Sequence, residues 1–335
     1  MEQTAVEKKF GKYVMASMIT MFLQSAYSMI DGLFVSNLIG DTALSAVNVA
    51  WPVIAVVTAI GTGVGCSGAV MMSTKQGEGK NEESNIVRAN VILALLASSI
   101  VVTILFLVLL TPLLKLMGAE GELLRLSQIY GRVMLTGGVL QILSCGLTPL
   151  LRNDNRAVSA MMIMVGGLFA NLGLDFVFMY VFHMGIGGAA GASLCAQLFT
   201  TLCCLIILGT KKTDPIRFSQ FMIRKEYWKK IFKTAVSPFG ISLTPSLLIL
   251  YHNVACLKFG GDLAVNAYAL ISSTVGSYRV LLIGVAEGIQ PLASYAYGAH
   301  DFHAIRKIRN KAVITAIGVS FLSSESHENH VHHRH

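Results

Sequence analysis

Charge is what this sequence has least of. Only 13% of its 335 residues are Asp, Glu, Lys or Arg, against roughly a quarter in an ordinary soluble domain. With 54% hydrophobic residues and a mean hydropathy of +0.63, a soluble globular protein is excluded and a polytopic membrane protein is indicated. Other features are missing too. The first twelve residues, MEQTAVEKKFGK, have neither the short apolar core nor the small-residue cleavage site of a signal peptide, so the first span is expected to stay as an anchor. The six cysteines (Cys66, Cys145, Cys195, Cys203, Cys204 and Cys256) show neither metal-ligand spacing nor an extracellular disulfide framework and read as small core residues. No nucleophile and base stand at helical spacing and no metal quartet occurs, so neither an enzyme nor a resident metal or cofactor is expected.

What the sequence does have is apolar runs of about 20 residues, each long enough to cross a roughly 30 Å hydrocarbon core as a helix. They fall near 13–36, 46–74, 87–110, 126–147, 157–181, 188–209, 232–255 and 264–292, with a further start at 311. The fold class is therefore an all-α bundle with eight complete spans and a ninth cut short. The formal net charge of +8 lies mostly in alternate loops: Lys8, Lys9 and Lys12; Lys75, Lys80 and Arg88; Arg152 and Arg156; Lys211 to Lys233; Arg306 to Lys311. That is the positive-inside pattern with a cytoplasmic amino terminus, and it makes nucleic acid an improbable partner. Lys225, Lys229 and Lys230 suit anionic lipid instead.

Shifted by 221 positions, the chain meets itself: GDTALSA (Gly40 to Ala46) falls on GDLAVNA (Gly261 to Ala267). At the same offset Gly63 meets Gly284, Ser73 meets Ser294, Gly77 meets Gly298 and Arg88 meets Arg309. An even number of spans separates the copies, so they are parallel repeats about an axis along the membrane normal. The expected organisation is a six-helix lobe over 1–210, a basic linker over 211–231, a partial second lobe over 232–322 and a polar tail over 323–335. A second copy as long as the first would continue past the end, so the chain reads as a fragment of a twelve-helix protein. Five tail histidines (His327, His330, His332, His333 and His335) could bind a metal, but a tag, a frameshifted end or a disordered terminus is the plainer reading.

The carboxylates carry the chemistry. If Tyr13 to Ser36 is a helix, Thr20, Gln24, Tyr27 and Asp31 form one polar stripe on an otherwise apolar surface. Lipid cannot satisfy such a stripe, so it should face a protein or water-filled interior. The alternative is that Asp31, roughly 8 Å from the outer end of its span, merely reaches interfacial water. In ANLGLDFVF, Asn171 and Asp175 again share a helix face. Two such acids could share a proton or ligate Na+. Glu287, beside Gln290 and Pro291, is either a substrate-cavity residue or a hydrogen-bonded core acid. Met18, Met21, Phe22 and Met29 suit either a promiscuous cavity or a lipid face. The glycines of GVGCSG (Gly63, Gly65, Gly68) lack the strand a dinucleotide site requires, and close helix packing explains them better, as it does Gly187 and Gly191.

AYSMIDGLFVSNLIGDTALSAV, LLRNDNRAVSAMMIMVGGLFANLGLDFVFMYVFHMGIGGAAGAS and GIQPLASYAYGA together resemble the multidrug and toxin extrusion (MATE) transporters, in particular a bacterial branch. The resemblance implies a twelve-helix, two-lobe exporter in the bacterial cytoplasmic membrane, monomeric, expelling small amphipathic cations in exchange for H+ or Na+. It implies a coupling site made of Asp31, Tyr27, Asn171, Asp175 and Ser193, with Tyr130 more loosely matched, and Gln24, Glu287 and Gln290 as cavity candidates. Two departures stand out: Ala16 and Ser17 occupy the place where some members bend the first helix at a proline, and Glu287 stands where relatives often have glutamine. A flippase for lipid-linked sugars and an inert truncated membrane protein are the alternatives. The flippase should line its cavity with basic residues, few of which fall within the spans.

Overall fold

In hydrocarbon a peptide group has no water to bond, so a chain that crosses it closes its hydrogen bonds within helices or a sealed barrel. This chain uses helices. The computed structural model describes the backbone of residues 3–210 and 220–332, and their side chains except at 3–8, 28, 250, 253, 254, 257, 260–267, 269–275, 277 and 322–332. The elements are α1 (Gln3–Leu38), α2 (Asp41–Gly77), α3 (Asn81–Leu116), α4 (Gly121–Thr136), α5 (Gly138–Leu151), α6 (Ala157–Asp175), α7 (Gly185–Gly209), α8 (Lys225–Gly298) and α9 (Phe302–His332). Among the described residues, five helical stretches are long and apolar enough to cross a membrane: Lys9–Leu38, Asp41–Gly77, Asn81–Leu116, Gly138–Val181 and Gly185–Gly209.

Several predicted boundaries shift. The span expected at 126–147 is built from α4 and α5, which meet at Gly137. The loop expected near 152–156 is a tight π-helical turn in which Asn155 takes φ 61°, a left-handed conformation that Asn tolerates well among non-glycine residues. The spans expected at 232–255 and 264–292 lie together in α8, whose two limbs fold back on each other. His252 stacks on Tyr268 with ring centroids 5.0 Å apart, whereas sixteen residues of straight helix would separate them by about 24 Å. The predicted linker is already helical from Lys225. Lys211, Lys212 and Arg217 of that linker, and the side chains of the tail histidines, lie outside the described residues.

α2 is the hub of the bundle, packed against α3, α4, α5 and α8. A Cβ on Gly65 would stand 2.4 Å from the Gly146 Cα of α5, and one on Gly68 would stand 2.1 Å from the Val91 side chain of α3. The GVGCSG glycines are therefore packing residues, as expected, because only hydrogen lets the backbones approach this closely. Gly187 and Gly191 make ordinary contacts at 3.7 Å; in that segment Gly188 is the tight one, against Met184 and Phe178.

The contacts across the two repeats are reciprocal. A Cβ on Gly63 meets Phe239, and one on Gly284 meets Met18; at the offset of 221, Gly63 corresponds to Gly284 and Met18 to Phe239. Ser67 bonds the Ile231 carbonyl at 2.9 Å and the Thr234 hydroxyl, while its counterpart Gly288 lies against Tyr13 and Val14. Gly77 and Gly298, themselves counterparts, touch each other. Pairs that exchange partners in this way mark a two-fold relation between the copies, as the sequence repeat requires.

Several residues read as loop charges or core thiols are placed differently. Arg88 is 0% exposed, and its Nη2 donates to Asn85 at 2.8 Å and lies 3.4 Å from Asp154. Arg152 is also buried, where it closes α5. Each guanidinium could be drawn out of the loop because a carboxylate is drawn in with it. Cys66 and Cys204 are buried as expected, but Cys195 is exposed on α7. The packing role of Gly65 gives a direct test. Gly65→Ala is expected to cost about 1–3 kcal/mol through overpacking and to lower the thermal midpoint in detergent, while Gly11→Ala, where a Cβ meets nothing within 4 Å, leaves it unchanged.

Candidate functional site

The polar stripe of α1 faces into the first lobe near the end opposite the basic loops. Tyr27 Oη donates to Asn171 Oδ1, and its proton also points toward Asp175 Oδ2 at 3.4 Å. Asn171 Nδ2 donates to the same Asp175 oxygen at 3.1 Å, as its one-turn spacing on α6 allows. Asp175 is 0% exposed and Asn171 is buried, so this carboxylate is wholly enclosed by protein. Asp31, one turn beyond Tyr27, turns its carboxyl to within hydrogen-bonding reach of the Asp175 carboxyl. Ser193 of α7 faces the Tyr27 hydroxyl, and Tyr130 of α4 borders both acids.

All five predicted coupling residues therefore meet, drawn from α1, α6 and α7, and the loosely matched Tyr130 joins them. The reading of Asp31 as an acid that only reaches interfacial water does not fit a side chain turned toward Asp175. Immediately after Asp175 the helix widens into a π-helical stretch over Phe176–Val181, with Phe182 N bonded to Val177 O at 2.9 Å. Such bulges recur at functional sites because they free a turn from strict helical register.

The chemistry follows from what the carboxylates lack. Asp31 Oδ1 and Asp175 Oδ1 are both buried without a hydrogen-bond partner, and among the described residues neither acid has a cationic partner. Two carboxylates facing each other in low dielectric cannot both stay ionised and unaccompanied. A proton shared between them, or a small cation between the two oxygens, removes that conflict; the phenol, carboxamide and hydroxyl are the neutral ligands and donors such an ion needs. Among the described residues no group of three or more His, Cys, Asp or Glu is arranged to hold a metal.

The cavity candidates separate from this cluster. Gln24 is exposed, whereas Thr20 is buried and donates to the Ala16 carbonyl of its own helix at 2.8 Å. A small cavity lies about 16 Å from Asp31, eleven residues back along α1, between Ser17, Thr20, Thr148, Met161, Arg152 and Glu287. Glu287 pairs there with Arg152 at 2.5 Å, so the core-acid reading holds in part: this acid is satisfied by a salt bridge. Gln290 lies beside Cys66, which itself neighbours Glu287 and Arg152. Sequence reasoning missed Arg152 because it was counted with the loops. The signal available was the density of polar residues in RNDNR, which is far more than a reversal alone requires.

Comparison with known proteins agrees with this architecture. The MatE family model matches residues 16–177 and 241–324, most of the chain. The multidrug export protein MepA of Staphylococcus aureus (strain N315) is 26% identical over 327 residues, covering 96% of this chain and 71% of its own length. The crystal structure of a MATE protein in complex with MaL6 superposes with a TM-score of 0.89 at 25% identity, covering 95% of this chain and 71% of that one. A MOP superfamily transporter from Pyrococcus furiosus, for which a reversed polarity of the binding pocket suggests a different function, gives the same score and identity with 95% and 70% covered. A helical multi-pass membrane chain matched by that family model along both repeats belongs to the MatE family of membrane transporters.

Proposed function

We propose that this chain is a cation-coupled antiporter that exports small amphipathic, mostly cationic compounds by alternating access, exchanging them for H+ or Na+. The supporting observation is the buried pair Asp31 and Asp175, the one acidic cluster among the described membrane-embedded residues that no arginine neutralises. With the pair empty of cation, the first lobe carries an uncompensated negative charge; with H+ or Na+ bound it does not. Drug and ion then favour opposite arrangements of the lobes and displace one another. The names of the MepA relatives as multidrug export proteins support the cargo class.

The coupling site lies in the first lobe. At the offset of 221 Asp31 falls on His252, so the second lobe carries no copy of the acid. One imported monovalent ion yields about 2.3 kcal/mol per 100 mV, which exporting a monovalent cationic cargo consumes, so a one-for-one exchange is driven by the concentration gradient of the ion. The basic loops support an amino terminus in the cytoplasm and a location in the cytoplasmic membrane of a bacterium, and a monomer surrounded by lipid completes the reading. The observation that favours a lipid-linked sugar flippase is Arg152 in the inter-lobe cavity, but Glu287 cancels its charge and leaves no basic surface for a pyrophosphate.

Energised membrane vesicles loaded with an ethidium-like cation test the proposal. The chain is expected to exchange the dye for protons or Na+, and Asp31→Asn and Asp175→Asn each to abolish exchange. A pH jump and a Na+ jump applied separately identify the ion. Dye exchange surviving within about twofold in Asp31→Asn would sink the coupling role, and absence of flux from the parent chain would point to the inert reading. Tyr27→Phe, which removes the proton shared by Asn171 and Asp175 but keeps the ring, is expected to lower exchange about tenfold, in line with roughly 1.5 kcal/mol for a charge-assisted hydrogen bond.

A further inference from the structure

Arg152 and Glu287 form an ion pair that joins one lobe to the other. Arg152 closes α5 of the first lobe, Glu287 lies on the second limb of α8, and Nη1 donates to Oε2 at 2.5 Å. The arginine side chain is 8% exposed and the glutamate 26%.

The arginine is rigidly mounted. In the turn that follows it, Asp154 accepts from Gln76 at 3.0 Å and pairs with Arg88, Asn153 donates to Pro149 O at 3.0 Å, and Asn155 accepts from Tyr13 at 3.3 Å. Among the described residues, the other close contacts between the lobes lie in the same half of the bundle. Gly284 and Gly288 sit on α1 at Met18 and Val14, Gly298 on Thr74, and Ser73 donates to Pro291 O at 3.2 Å. Toward the other end Phe22, Met29, Ile241 and Tyr251 are all exposed. Apolar helix faces in lipid gain little by meeting each other, since the tails are as apolar as they are. A charge pair that must be broken for the lobes to part there weighs far more. The repeat does not duplicate it: the counterpart of Glu287 is Cys66.

We propose that Arg152 and Glu287 are the gating pair of the transport cycle, a latch that holds the lobes together in the half nearest the basic loops and must open before that half can admit cargo. The proposal rests on the alternating-access reading above, but its test does not require transport.

Ser73 is 1% exposed between the lobes and is nearly isosteric with cysteine. In the full chain with its six cysteines replaced by alanine, Ser73→Cys reports opening through its rate of labelling by N-ethylmaleimide in membrane vesicles. Glu287→Gln is expected to raise that rate about fivefold or more, and the exchange of Arg152→Glu with Glu287→Arg to bring it back within about twofold of the parent. Should Glu287→Gln fail to accumulate, the double variant Arg152→Gln with Glu287→Gln strands no charge and is expected to label just as fast. Labelling within about twofold of the parent in the neutral variants, or an exchange variant that labels as fast as they do, overturns the latch. Dye exchange by the unmodified chain is measured alongside; its absence counts against the exporter and leaves the labelling result standing.

Discussion

A charge held inside a membrane has to be answered by another group, and the buried acids of this chain are answered in three ways. Asp154 is met by Arg88 within the first lobe, both side chains almost completely enclosed. Glu287 is met by Arg152 across the boundary between lobes. Asp31 and Asp175 have only each other, two phenols, a carboxamide and a hydroxyl. A fully buried pair within one body resists separation, because parting it leaves a bare ion. A partly exposed pair between bodies can be traded for water when the bodies part. An acid pair with no fixed cation is the place where a proton or small cation would be stabilised most. The three arrangements answer one electrostatic requirement and differ in what stands opposite the carboxylate.

The acid cluster was legible in the sequence because helical periodicity carries through to three dimensions. Tyr27 and Asp31 are one turn apart, as are Asn171 and Asp175, and a membrane helix has few other places to turn such a seam. The family resemblance supplied Ser193 and Tyr130, which periodicity alone would not have joined to the others. Gln24, on the same stripe, is exposed, because the stripe is wider than the contact it makes. The two salt bridges were not legible. A basic residue near a helix end looks like a topology signal, and although the polar density of RNDNR marks the turn as unusual it does not name the partner; the pairing of Arg152 with Glu287 is a fact of tertiary structure across 135 residues. The all-α class and the repeat were legible, while the eight expected spans were not all recovered: among the described residues five stretches qualify. The fold was blurred where turns are so tight that helical hydrogen bonding hardly lapses, at 152–156 and in α8.

The repeat adds a further constraint. Reciprocal contacts such as Gly63 with Phe239 and Gly284 with Met18 show that the interface between copies is built twice from the same positions. The functional residues break that symmetry: Asp31 corresponds to His252, Glu287 to Cys66, and buried Arg88 to exposed Arg309. Duplication provided two bodies that fit, and divergence gave them different tasks.

The enclosure of Arg88 also bears on how the chain is made. Its partner Asp154 follows 66 residues later, which at roughly 5–20 residues per second is a delay of several seconds during synthesis. Through that interval the guanidinium, seated in the second turn of α3, can keep its head among lipid phosphates by stretching its methylene stem. Arrival of the RNDNR turn then withdraws it from the headgroups into protein. Full enclosure of Arg88 thus has to wait for the hairpin of α5 and α6, which brings its counter-ion.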